Sequence, residues 1–176
     1  MCSQVIRQAG VVALALLLSA CASMTVRTYV APSLRVNQYK TFNWEPSLTQ
    51  STGDPRLDNN PFFHDRVRTA IENELTRRGI EKADSADLLI HYHASVSQEI
   101  FVSHAQVGDT YAEAGRAEVY DAGTLLIDLV DASSHRLVWR GWAEDSINGV
   151  IDNQEWMEQA IDQAVARILR QLPQGL

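Results

Sequence analysis

Apolar and polar positions alternate most cleanly between Ala86 and Val96. Leu88, Ile90, Tyr92, Ala94 and Val96 share one parity, and Leu89, His91, His93 and Ser95 share the other, which predicts a β-strand with one covered face. A second period-2 stretch runs from Gly123 to Glu144 and folds on itself about Asp131–Arg136. Leu125, Ile127 and Leu129 line one face of its first arm; Leu137, Trp139, Gly141 and Ala143 line the matching face of the second. Pairing Leu129 with Trp139 sets Asp128 beside Arg140, Leu126 beside Trp142, and Val130 beside Val138. A slip of one residue would turn Arg140 onto the apolar face, so the register is strongly specified. Weaker alternation predicts strands over 24–30 and 34–44, the latter with the β-favouring bulk of Tyr39, Phe42 and Trp44.

Helical periodicity appears twice. Phe63, Val67, Ala70, Ile71 and Leu75 fall along one stripe after Asn60-Pro61, a cap followed by a proline at the first helical position. Gly79 and Ile80 close this helix. A second stripe, Met157, Ala160, Ile161, Ala164, Ile168 and Leu172, predicts a helix from about Glu155 to Leu172, capped by Asp152 or Asn153 and stopped by Pro173. Between the elements, 45–60 reads as a turn-rich loop, and 98–122 as a strand end followed by a loop. The order strand, strand, helix, strand, hairpin, helix predicts an α+β fold, a two-layer sandwich with a largely antiparallel sheet and two helices packed on one face.

The first residues break from this picture. Arg7 precedes an unbroken apolar run from Val11 to Leu18, too short for a bilayer span, which needs about 20 residues. A basic residue, a short apolar segment and small residues read as a secretory signal. Leu18-Ser19-Ala20-Cys21 resembles the lipobox of bacterial lipoproteins, which implies cleavage before Cys21 and acylation of its thiol. The organisation expected is a cleaved signal over 1–20, a lipid-anchored N-terminus over 21–23, and one periplasmic domain over 24–176. Ala22 after the cysteine resembles lipoproteins sorted to the outer membrane, so the membrane lipid met through acylated Cys21 is expected to be that one.

Composition narrows the function classes. The chain has two cysteines, Cys2 and Cys21, so the mature domain keeps no free thiol for a disulfide, a zinc site or a nucleophile. Loss of Arg7 takes the formal net charge from −7 to −8. An acidic chain without a basic cluster is a poor match to nucleic acid. Among candidate chemistries, His91 and His93 project from one strand face and are the weak metal candidates; a third ligand would have to come from Glu99 or His104. The plainer reading is two half-exposed histidines. His64 and Asp65 sit at a helix start without a serine in a nucleophile elbow. Asp54, Asp58, Asn59 and Asn60 miss the spacing of a calcium loop and suit turns and caps equally well. No glycine-rich phosphate loop occurs, and no cofactor is implied. If the helices cover the Leu125/Trp139 face, then Leu126, Val130, Val138 and Trp142 form a possible partner surface on the other, unless the 98–122 loop covers them.

Tyr39-Lys40-Thr41-Phe42-Asn43-Trp44, Ala86-Asp87-Leu88-Leu89-Ile90, Gly123 to Asp131 and Leu137-Val138-Trp139-Arg140-Gly141-Trp142 together resemble the bacterial family called Domain of Unknown Function 4136. The likeness runs from about Val26 to the C-terminus. The chain departs from it in the hairpin turn, where Ser134-His135 replaces a common Thr-Gly. The family is rich in lipoproteins and implies no catalytic residue or cofactor. The function expected is a lipid-anchored envelope protein that binds a partner or self-associates without catalysis; a hydrolase or metal-dependent enzyme with a diffuse site is the alternative.

Overall fold

A computed structural model of the chain describes residues 24–32, 34, 38–45, 52–103 and 116–173. Cys21 and the lipobox residues Leu18, Ser19 and Ala20 lie outside them, as does His104. The described chain forms six strands and three helices: β1 (Thr25–Val30), β2 (Thr41–Trp44), α1 (Pro55–Asp58), α2 (Pro61–Arg77), β3 (Glu81–Lys82), β4 (Leu88–Ser103), β5 (Arg116–Asp131), β6 (Arg136–Ser146) and α3 (Gln154–Arg170). The strands make one sheet in the order β1-β6-β5-β4-β2-β3. Its β1-β6-β5-β4 part is antiparallel, while β2 runs parallel to both β3 and β4. The fold is α+β, and α2 and α3 share one core with a single face of the sheet.

Each helix starts where a short polar side chain meets the free backbone donors. Asn60 accepts from the Phe63 N–H, and Asn153 from the Trp156 N–H. The α2 stripe Phe63, Val67, Ala70, Ile71 and Leu75 is buried throughout, and Gly79 (φ 80°) turns the chain so that Ile80 packs beneath it. On α3 the stripe is wider than its spacing suggests, since Val165 and Leu169 are buried beside Ile161, Ala164 and Ile168. Arg66 on α2 joins the two helices by pairing with Asp162 and, at 3.0 Å, with Glu158.

Four expectations change. The turn-rich stretch holds a short helix: Asp54 caps α1 and Pro55 opens it, the same Asx-Pro device that starts α2. Of the strand expected over 34–44, residues 35–37 lie outside the described residues and β2 covers Thr41–Trp44; before it, Tyr39 is buried and donates its hydroxyl to Asp131 at 3.0 Å. The short β3 adds an edge that two residues carry too little periodicity to announce. Strands β4 and β5 each run 16 residues and pair from Leu88↔Asp131 to Ser103↔Arg116. Residues 116–122, expected in a loop, are therefore strand, because the cross-strand ladder outweighs the modest β-propensity of Ala, Glu and Asp. Strand β6 ends opposite Ala122, so the ribbon beyond it projects from the sheet as a two-stranded arm.

The hairpin register holds at Leu129↔Trp139, Asp128↔Arg140 and Leu126↔Trp142, then shifts. Val130 faces Leu137, not Val138, because a bulge between Leu129 and Val130 places one extra residue on β6. Val138 consequently turns into the core (3% exposed) beside Trp139 (0%), and Leu137 moves to the opposite face with Val130. In the turn, His135 takes the left-handed backbone (φ 52°), the conformation a glycine adopts more easily.

Candidate functional site: an apolar cavity and an open sheet face

The core-facing positions change in size from one end of the sheet to the other. At the β4 start and β6 start stand Leu88, Ile90, Leu129 and Trp139, closed over by Ile168 and Leu169 of α3, all at or below 1% exposure. Toward the other end the facing residues shrink to Ala94 on β4, Gly123 on β5, Ala143 on β6, and Ala160 and Ala164 on α3. Side chains of that size do not meet across the gap between layers. A cavity of about 300 Å³ remains, floored by the sheet and roofed by Phe63, Val67, Met157 and Ile161. Native interiors are close-packed with few voids larger than a water, and ligand pockets begin near this size.

Aliphatic and aromatic groups make most of the cavity wall. Its polar members are Ser95, Thr124, Asp145, Ser146, Gln159 and Gln163, with no lysine or arginine among them. Met24, the first described residue, lines it, and Trp156, 53% exposed, lies at its rim. Such a chamber can hold an apolar molecule by burial, and its described lining offers no lysine or arginine to pair an anionic head group. Sequence reasoning did not find this site. Its only signal is that Ala94, Gly123, Ala143 and Ala164, on four separate elements, all fall at core-facing positions of one end.

Among the described residues no helix lies on the opposite face of the sheet. Register aligns His93, Leu126, Trp142 and Arg27 in one row across β4, β5, β6 and β1; His91, Asp128, Arg140 and Tyr29 form the next, and Leu89, Val130 and Leu137 a third. An apolar row and a mixed row, whose apolar members are Leu126 and Trp142, thus flank a charged one. Leu126, Val130 and Trp142 are half-buried, as befits a face open to solvent, whereas Val138 leaves the proposed surface for the core. Arg140 grips Asp128 through two bonds, Nε–Oδ1 at 2.6 Å and Nη2–Oδ2 at 2.7 Å, and this pairing pushes the guanidinium pKa upward.

The remaining candidates are distributed over the fold. His91 Nε2 pairs with Glu45 on the open face, and the buried His93 Nδ1 lacks a hydrogen-bond partner. Glu99 accepts from the Tyr120 hydroxyl at 2.7 Å. Among the described residues no group of three His, Cys, Asp or Glu side chains converges as a metal site. On the helix side, His64 Nδ1 meets the Tyr92 hydroxyl at 2.7 Å, and burial drives the Tyr92 pKa upward. Next to it Arg68 stacks over Trp44 at 4.8 Å, and Trp44 donates to Glu72 at 2.6 Å. Burial opposes ionisation of Glu72, yet bonds from Lys82 and Trp44 hold its carboxyl below the ordinary range. Asp54 and Asn60 serve as helix caps and Asp58 accepts from the Thr52 N–H at 2.6 Å, so the turn-rich acids are used by the backbone.

Fold and site together define a small α+β domain with one bare sheet face and an apolar chamber under its helices. The chain belongs to the family described as Domain of unknown function (DUF4136), whose model matches residues 26–174. No curated protein matches it. Among solved structures it is similar to a PDZ domain protein from Parabacteroides distasonis, with a TM-score of 0.53 at 18% identity over 85% of this chain. It spans 36% of that protein's length. It is also similar to PelC from Paraburkholderia phytofirmans, solved as a dodecamer (TM-score 0.48, 15% identity, 83% of this chain and 95% of that one). A hemagglutinin homolog from Helicobacter pylori gives a TM-score of 0.44 at 16% identity, with 81% and 89% covered. At these identities the likeness is one of fold.

Proposed function

We propose that this chain is a lipoprotein of the cell envelope, held on the outer membrane by acylated Cys21 with its domain facing the periplasm, and that the domain acts there as a non-catalytic binding module. The anchoring half rests on the short apolar run before Leu18-Ser19-Ala20-Cys21. The binding half rests on one observation: the concave site of the domain is apolar, and its few polar side chains do not converge as an acid, a base and a nucleophile would have to. Binding by hydrocarbon burial needs only such a chamber. The half-buried Leu126, Val130 and Trp142 on the bare face offer a second surface, suited to an envelope protein or another copy of the chain.

Replacement of Cys21 by serine tests the anchor. Cys21→Ser should lose metabolic fatty-acid labelling and move from the membrane to the soluble fraction; labelling that persists in this variant overturns the assignment. In-cell crosslinking from position 142 tests the bare face. One discrete crosslinked species that disappears on Leu126→Asp supports it, and an unchanged monomer band overturns it.

A further inference from the structure

We infer that the cavity beneath the helices is a seat for one acyl chain of the protein's own anchor at Cys21. The inference rests on the lipid-anchor reading above and adds the ligand to it. Three observations carry it. The first is reach: Met24 lines the cavity, and the three residues back to Cys21 span at most about 10 Å when extended. The second is the wall. Phe63, Val67, Leu125, Ile147, Ile151 and Ile161 make much of the wall hydrocarbon, and the volume of about 300 Å³ suits a single chain better than a two-chain lipid. The third is charge. Among the described residues the lining includes the carboxylate of Asp145 and no lysine or arginine, a setting that disfavours the anionic group of a free fatty acid or a phospholipid. A chain linked to the protein through a neutral amide or ester has no such group.

Trp156 fits the same arrangement. It stands half-exposed at the rim, and tryptophan favours the boundary where hydrocarbon meets water. Met24, the first described residue, and the interfacial Trp156 thus both lie along the cavity lining. An acyl chain there has two apolar environments within reach, the membrane leaflet and the cavity, and divides between them.

The test uses cells fed a fatty acid with a diazirine near its end, so that the anchor itself carries the photoprobe. After purification and irradiation, the anchor should crosslink within its own chain to peptides covering 147–151 and 157–164. Ala164→Phe and Ala160→Leu, which fill the cavity, should each remove those crosslinks while leaving the mass of the acylated N-terminus unchanged; two fillers guard against one that does not fold, and a circular dichroism melt identifies it. An acylated wild-type chain whose crosslinks fall only on lipids or outside these peptides overturns the inference while the lipoprotein reading stands. A soluble periplasmic Cys21→Ser form labelled on the same peptides would assign the cavity to a foreign lipid and also overturn it. A wild-type N-terminus without acyl mass defeats the anchor reading itself.

Discussion

The two ends of the core are built from the same elements and differ in what fills them. At one end, Trp139 folds back over Gly141 against Ile168, and a methyl group on Gly141 would overlap the ring and sit 2.7 Å from Ile168 Cγ2. Nothing can be added there. At the other end, Ala94, Ala143 and Ala164 leave a chamber that the described residues do not fill. The closed end is also tied down by carboxylates. Asp87 accepts from the Lys40 and Thr41 N–H groups at 2.8 and 3.0 Å, and Asp131 holds Ser133, Ser134 and Tyr39. The contrast teaches that dense packing is concentrated at one end of a single core, where it secures the fold and leaves the other end free to stay open.

The strongest test of this division is Trp139→Ala, which should lower stability by about 3–5 kcal/mol, a large part of the roughly 5–15 kcal/mol that holds a domain together. A denaturant melt reads it, and a loss near 1 kcal/mol would show that the closed end is not the stabilising one. Gly141→Ala should follow, costing about 1–3 kcal/mol by overpacking against the same ring.

Asp131 supplies a pH-dependent version. Hydrogen bonds from the Ser133 hydroxyl and from the Ser134 N–H and hydroxyl hold its pKa well below the ordinary carboxylate value. A group with a depressed folded pKa contributes in full above its unfolded pKa, about 3.9, and the contribution is lost as pH falls through the folded value. Asp131→Asn should therefore cost on the order of 1–2 kcal/mol at pH 7, with the gap to wild type closing below about pH 4. A gap that is constant from pH 7 to pH 3 would remove the carboxylate from the account.

Trp142 is the internal control, the same residue type three positions along β6 but on the bare face. Trp142→Ala should cost about 1 kcal/mol or less; a loss equal to that of Trp139→Ala would make the second face a core as well. The smallest effect belongs to the hollow end. Ala164→Val in the Cys21→Ser chain should raise stability by about 0.5 kcal/mol, within the usual range for cavity filling, and a loss above about 1 kcal/mol would mean that the chamber is already packed.

These differences also explain what the residue pattern could reveal. Helices α2 and α3 and the β5–β6 pairing at Leu129↔Trp139 were legible because each rests on local periodicity repeated over several turns or residue pairs. The bulge at Val138 was not, since Val130 and Val138 are both apolar and alternation is blind to an extra residue that exchanges one valine for Leu137. Strand residues 116–122 were hidden because their reason for being extended lies across the ladder, on 97–103. The cavity was the least visible feature. Each of its alanines, and Gly123, is an ordinary core residue taken alone, and only the spatial coincidence of these small residues on four elements makes an empty volume.

Strand β1 has a consequence for the order of assembly. Among the described strands it is the first to be synthesised and its only neighbour is β6, with Thr25 opposite Glu144, roughly 120 residues later in a chain where distant pairings form slowly. Until β6 emerges, β1 offers bare backbone donors and acceptors to any passing strand. The interval is a window of exposure for the nascent chain, and it closes only when β6 pairs with β1.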